Sequence, residues 1–189
     1  MERARAAAND PSLTADQRAA AQKAVNSYGE FNDGKHDNVV VGLVKNKNLS
    51  SSTDGNNPNG NIYVNLNLSR SDRDPGVTVA HEGSHVADFQ NWLGSRGGPN
   101  EAAYDITQYE TETRAFFVSS YIAQGLGLKR YYPNADKCTE IWNKGWKEQQ
   151  REAYRAVGVG WYVWKDYQAQ PNGGPLAPNN PGFTLSTSP

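Results

Sequence analysis

Apolar and polar positions change period several times along the chain, and each change marks an element. From about Ser12 to Tyr28, Ala, Gln, Lys and Arg favour a helix, with Ser12 or Thr14 to cap it and Gly29 to stop it. Val39-Val40-Val41-Gly42-Leu43-Val44 is a short apolar run of strand length. Asn48 to Asn61 is rich in Ser, Asn, Gly and Pro and reads as a loop. Ile62 to Leu68 alternates apolar with polar residues, Tyr63 excepted, and reads as a second strand. The two strands can pair as a long-looped hairpin.

Asp74-Pro75 then opens a helix from about Gly76 to Trp92, since proline at a helix start lacks only an N–H that would be unpaired there. A loop spans Gly94 to Pro99. A long helix is expected from about Glu101 to Gln124, ending at Gly125, and another from about Ala135 to Val157, with Ile141, Trp142, Trp146, Gln149, Ala153 and Ala156 at helical spacing. Trp161-Tyr162-Val163-Trp164 is a short aromatic run. From Gln168 the composition shifts to Pro, Gly and Asn. The pattern predicts one α+β domain over residues 1–167, a small β-sheet on a mainly helical body, and a mobile tail over residues 168–189.

Composition narrows the function. The 189 residues suit one domain with tails, and five Trp and ten Tyr supply core area despite a mean hydropathy of −0.79. With 19 basic and 20 acidic residues there is no excess charge to neutralise phosphates, so nucleic acid is not the expected partner. No run approaches the roughly 18 apolar residues of a membrane span. The charged start Met1-Glu2-Arg3 leads into no apolar stretch, so no signal peptide is expected; secretion, or delivery as part of a larger protein, stays open. A single cysteine, Cys138, excludes an internal disulfide and a cysteine-rich zinc site. Any metal must therefore be held by histidine and carboxylate.

The chemistry concentrates in His81-Glu82-Gly83-Ser84-His85. Two histidines four apart on a helix project from one face, one turn apart, and can reach one tetrahedral zinc through neutral imidazoles. Glu82 points to a neighbouring sector, where it reaches water without ligating the ion. Zinc lowers the pKa of such a water to about 7, and the carboxylate takes its proton as it attacks a carbonyl. With three histidines in the chain the pattern seldom arises by chance, and it is a zinc-peptidase signature. The apolar run Val77-Thr78-Val79-Ala80 before it is what a buried helix requires.

A catalytic zinc needs a third protein ligand and an open position. His36 lies far upstream and reads as an exposed loop residue. Downstream, Glu112 shares a helical face with Tyr109 and Phe116, whereas Glu110 shares one with Ile106, Thr113 and Phe117; periodicity does not choose between them. Asp88, three residues after His85 on the same face, is either a ligand, an acceptor that orients an imidazole N–H, or a solvated charge at the helix end. Tyr104, Tyr109, Tyr121 and Arg114 are candidate donors to a transition-state oxyanion.

His81-Glu82-x-x-His85, followed by a helix with Glu112-Thr113-Arg114-Ala115-Phe116, resembles the gluzincin pattern of zinc metallopeptidases. In that pattern the third ligand is a glutamate on the helix after the motif helix, written E-x-x-A. The resemblance covers roughly Ile62 to Tyr121 and implies Glu112 as ligand, with Ala115 small enough for close helix packing. It also implies a zincin-like fold and a protein or peptide substrate. Phe116 departs from the thermolysin subgroup, which carries an acidic residue at that place, and no histidine six residues after His85 provides a metzincin extension. The segment is similar as well to metallopeptidase domains found as toxin or effector modules in bacteria. In zinc peptidases of this pattern an edge strand beside the motif helix takes substrate as an added strand, a role Ile62 to Leu68 can fill, or it is a cover for the helix. The expected activity is endopeptidase hydrolysis with one zinc ion. A zinc amidase acting on cell-wall peptide or a small substrate shares these features. A zinc-binding interaction module without catalysis would have no use for Glu82.

Overall fold

The computed structural model describes residues 1–30, 38–46, 49–55, 60–69, 74–95 and 108–128, and of residues 95, 108–110 and 113 the backbone alone. His36, Tyr104, the helix expected over 135–157, the Trp161–Trp164 run and the tail from Gln168 lie outside these residues. What is described is mixed α and β. The elements are α1 (Glu2–Ala7), α2 (Ala15–Asn26), β1 (Val39–Leu43), β2 (Ser52–Asp54), β3 (Ile62–Leu66), α3 (Pro75–Ser95) and α4 (Gln108–Gly125). No helix among them is long and apolar enough to cross a membrane.

Helix α2 starts where a local signal puts it. Thr14 accepts from the Gln17 backbone N–H while the Gln17 side chain accepts from the Thr14 N–H, a capping box of about 1 kcal/mol. Gly29, at a φ of 70°, turns the chain away after it. Asp74 opens α3, accepting from the Gly76 N–H, with Pro75 as first helical residue.

The sheet corrects three expectations. β1 and β3 do not form a hairpin: they are parallel, with Val39 opposite Ile62 and Leu43 opposite Leu66. The connection between them, expected to be loop throughout, contains β2, which pairs antiparallel to β3 with Thr53 opposite Val64. The order is β1-β3-β2, so β3 is the central strand and cannot be the edge. The edge beside the motif helix is β2, which contacts α3.

α3 is the middle layer, and its apolar run serves two sides. Val79 and Val86, with Phe89 and Leu93, pack under Ile62, Val64 and Leu66 of β3. Val77 and Ala80 pack into a second core with Ala21, Ala24 and Val25 of α2, Ala4 and Ala7 of α1, and Phe117, Val118 and Ile122 of α4. A helix that is apolar on opposite faces is a buried helix. It comes close to α2 at Gly83: a Cβ there would fall 2.2 Å from the Ala24 carbonyl oxygen, so only glycine fits. The Ser27 hydroxyl, just past α2, lies 2.8 and 2.7 Å from the Gly83 and Ala24 carbonyl oxygens, which share its one proton, and the Tyr28 hydroxyl donates to the Val79 carbonyl at 2.8 Å.

Candidate metal centre

Helical periodicity sorts the residues of α3 onto three faces. Gly83 meets α2. Glu82 lies on the stripe of Val79, Val86 and Phe89, beneath the sheet. His81, His85 and Asp88 lie on the stripe that faces α4, the helix with which α3 shares its largest interface. Ala115 of α4, fully buried, keeps that approach close.

Glu112 is brought to both histidines. Its carboxylate oxygens stand 3.5 Å from His81 Nε2 and 3.6 Å from His85 Nε2. One potential ligand atom from each of the three residues lies within 4.8 Å of the other two. His81 and His85 are buried and Glu112 is partly exposed. The imidazoles meet edge to face at 5.0 Å, and Phe116 packs edge to face on His81 at 4.9 Å. Phe116 is thus an apolar wall beside His81.

The tautomers follow from the hydroxyls behind the rings. The Ser119 hydroxyl donates to the Ala115 carbonyl at 2.7 Å, which uses its one proton, so at 3.2 Å it accepts from His81 Nδ1–H. The Thr111 hydroxyl donates to Asp88 Oδ2 at 2.7 Å and accepts from His85 Nδ1–H at 2.9 Å. Both Nε2 atoms therefore turn lone pairs toward the Glu112 carboxylate, which also presents lone pairs.

Two imidazole nitrogens and a carboxylate facing one another form a donor set that a cation can bridge. Two ligands of a tetrahedral ion bound at about 2.0–2.1 Å stand about 3.3–3.4 Å apart, and the three potential ligand atoms here lie within 4.8 Å of one another. The donor set of two imidazoles and a carboxylate thus fits a metal ion, and His81, His85 and Glu112 could hold one.

Of the other candidates, Asp88, Arg114 and Tyr121 are described. Asp88 is not one of the three converging residues: one of its oxygens accepts from Thr111, the other is ion-paired with Arg114, and both side chains of that pair are nearly buried. Tyr121 is fully buried in the core beside Phe117 and Ile122, roughly half a helical turn round from Glu112. Glu110 and Tyr109 sit in the first turn of α4, with side chains outside the described residues.

Glu82 is buried and held by the sheet rather than by a helix. The Thr53 hydroxyl donates to Glu82 Oε2 at 2.8 Å, because register puts Thr53 on the inner face of β2, beside Val64. Tyr28 is the other neighbour whose chemistry registers this carboxylate. Burial, and secondarily the Glu82 charge, push its phenol well above the usual tyrosine range.

Sequence reasoning missed Thr53, Thr111 and Ser119. Ser119 follows Glu112 by two helical turns on the same face, a spacing that could have marked it; Thr53, in a loop-like stretch, carried no such signal. Comparison of the chain with protein-family models, with curated proteins and with solved structures gives no match in any of the three.

Proposed function

We propose that the protein is a zinc-dependent endopeptidase of the gluzincin type, with His81, His85 and Glu112 as ligands and Glu82 as general base. The observation that carries this is the convergence of His81, His85 and Glu112, one potential ligand atom of each lying within 4.8 Å of the other two. Imidazole and carboxylate are borderline to hard ligands, which favours zinc over thiophilic ions. A zinc ion in such a site lowers the pKa of water to about 7 and polarises the scissile carbonyl.

Glu82 does the proton work. One of its oxygens is engaged by Thr53, which fixes the carboxylate and leaves the other to accept a proton from the attacking water. The same carboxyl group then returns that proton to the departing amine. β2 supplies a surface for extended substrate: it is paired with β3 on one side, and no described strand pairs with its other edge. Main-chain hydrogen bonds along that edge would place a peptide beside Glu82, which favours cleavage within chains.

Zinc content of the purified protein, measured with cleavage of unfolded proteins, peptides and cell-wall stem peptides, tests this. Wild type should take up one zinc and cleave unfolded protein; Glu82→Gln should keep the zinc and lose at least about 100-fold in rate. Wild type that takes up no zinc refutes the proposal, as does Glu82→Gln that still cleaves. Cleavage confined to cell-wall peptide would move the substrate class and leave the chemistry.

A further inference from the structure

We infer that Thr111 is a positioning residue that couples the charge of Asp88 to His85, making His85 the stronger of the two imidazole ligands. This rests on the zinc reading of the site.

The two histidines have similar burial and the same Nδ1–H tautomer, yet their supports differ in charge. Behind His81 the chain runs through Ser119 to the Ala115 carbonyl, a neutral acceptor. Behind His85 it runs through Thr111 to the Asp88 carboxylate, an ion. A hydroxyl whose proton is drawn to a carboxylate becomes a better acceptor at oxygen. It therefore pulls harder on the His85 Nδ1–H and leaves more electron density at Nε2. The separations agree in direction: 2.9 Å for His85 against 3.2 Å for His81. Arg114 holds the other Asp88 oxygen, so the carboxylate is fixed toward Thr111. Thr111 immediately precedes Glu112, so the same turn of α4 delivers a ligand and orients another.

Hydrogen-bond partners behind metal-bound histidines commonly change metal affinity by 10–100-fold. Competition with a fluorescent zinc chelator, on the full chain, gives the affinity whether or not the protein hydrolyses anything. Thr111→Val, which keeps the shape and removes the hydroxyl, should weaken zinc binding by about 10–100-fold. Thr111→Ser should restore it to within about threefold, and Ser119→Ala should weaken it by less than Thr111→Val. Melting of the metal-free variants near the wild-type temperature confirms that the fold is kept; should Thr111→Val melt low, Thr111→Ser against Thr111→Ala supplies the same comparison.

Thr111→Val with wild-type affinity overturns the inference, and so does Ser119→Ala with the larger loss. Wild type without zinc affinity overturns it together with the proposed function. Zinc uptake without hydrolysis sinks the peptidase reading alone, and the order of affinities still decides this one.

Discussion

Gly83→Ala is the sharpest test of how the motif helix is seated. The added Cβ would lie 2.2 Å from the Ala24 carbonyl oxygen and 2.9 Å from Tyr28 Cε2. An unstrained carbon–oxygen contact lies at about 3.3 Å, so α2 and α3 must part by about 1 Å. The obstacle is main chain in the last turn of α2, which cannot rotate aside as a side chain would. Parting the helices also stretches the 2.8 Å bond from Ser27 to the Gly83 carbonyl. Overpacking costs about 1–3 kcal/mol, and the weakened hydrogen bond costs about 1 kcal/mol. Against this, alanine gains about 1 kcal/mol of helix propensity over glycine. The net expectation is a loss of about 2 kcal/mol, read as a urea midpoint lowered by about 1 M for a slope near 2 kcal/mol/M. Propensity alone predicts the opposite sign. A variant as stable as wild type, or more so, would refute the close approach.

Three further outcomes are expected. Chelation of zinc should lower the melting temperature, because an ion that binds only the folded state at about 100 times its Kd adds about 2.7 kcal/mol; identical melting with and without chelator would argue against a bound ion. Thr53→Val should keep zinc and lower kcat by about tenfold, as expected when one hydrogen bond to a charged group is removed, and unchanged kcat would detach β2 from the base. Tyr28 sets a pH dependence of stability. Its folded pKa is raised by burial and by Glu82, so its contribution is complete below the unfolded value of about 10. Above that pH the unfolded chain releases the phenolic proton while the folded protein retains it, and stability falls as pH rises. Tyr28→Phe should cost about 1 kcal/mol at neutral pH and flatten the alkaline limb of the denaturation profile; a limb as steep as wild type would show that Tyr28 is not its source.

How much of this was legible depended on whether a residue's neighbours were near in sequence. α2 and α3 were readable because capping residues and apolar periodicity act within a turn or two. The placing of His81 and His85 on one helical face was readable for the same reason, and the three converging residues include the glutamate that the E-x-x-A resemblance implied. α1 was not read: six residues are too few to hold a helix alone, and it forms because Ala4, Ala7 and Ala8 pack into the helical core. β2 was hidden in a Ser-rich and Asn-rich stretch, since Ser52, Thr53 and Asp54 show no apolar alternation and gain their strand from pairing with β3. Strand direction is not written in alternation at all, so the parallel pairing of β1 with β3 was not foreseeable. Asp88 was placed on the correct face, but the hydroxyl between it and His85 comes from another helix.

The order β1-β3-β2 has a consequence for how the protein comes apart. Both outer strands precede β3 in the chain, and within the described residues each is paired with β3 and not with the other. β3 is therefore a keystone laid last during synthesis, and neither edge can exist as sheet before it arrives. The seat of Glu82 inherits that dependence through Thr53. Native-state hydrogen exchange should find the amides of β1 and β2 released in a single opening with those of β3. Partial unfolding that frees β3 would then release Glu82 from Thr53 while α3 and α4 still hold His81, His85 and Glu112 together, so the two arrangements would be lost at different depths of denaturation.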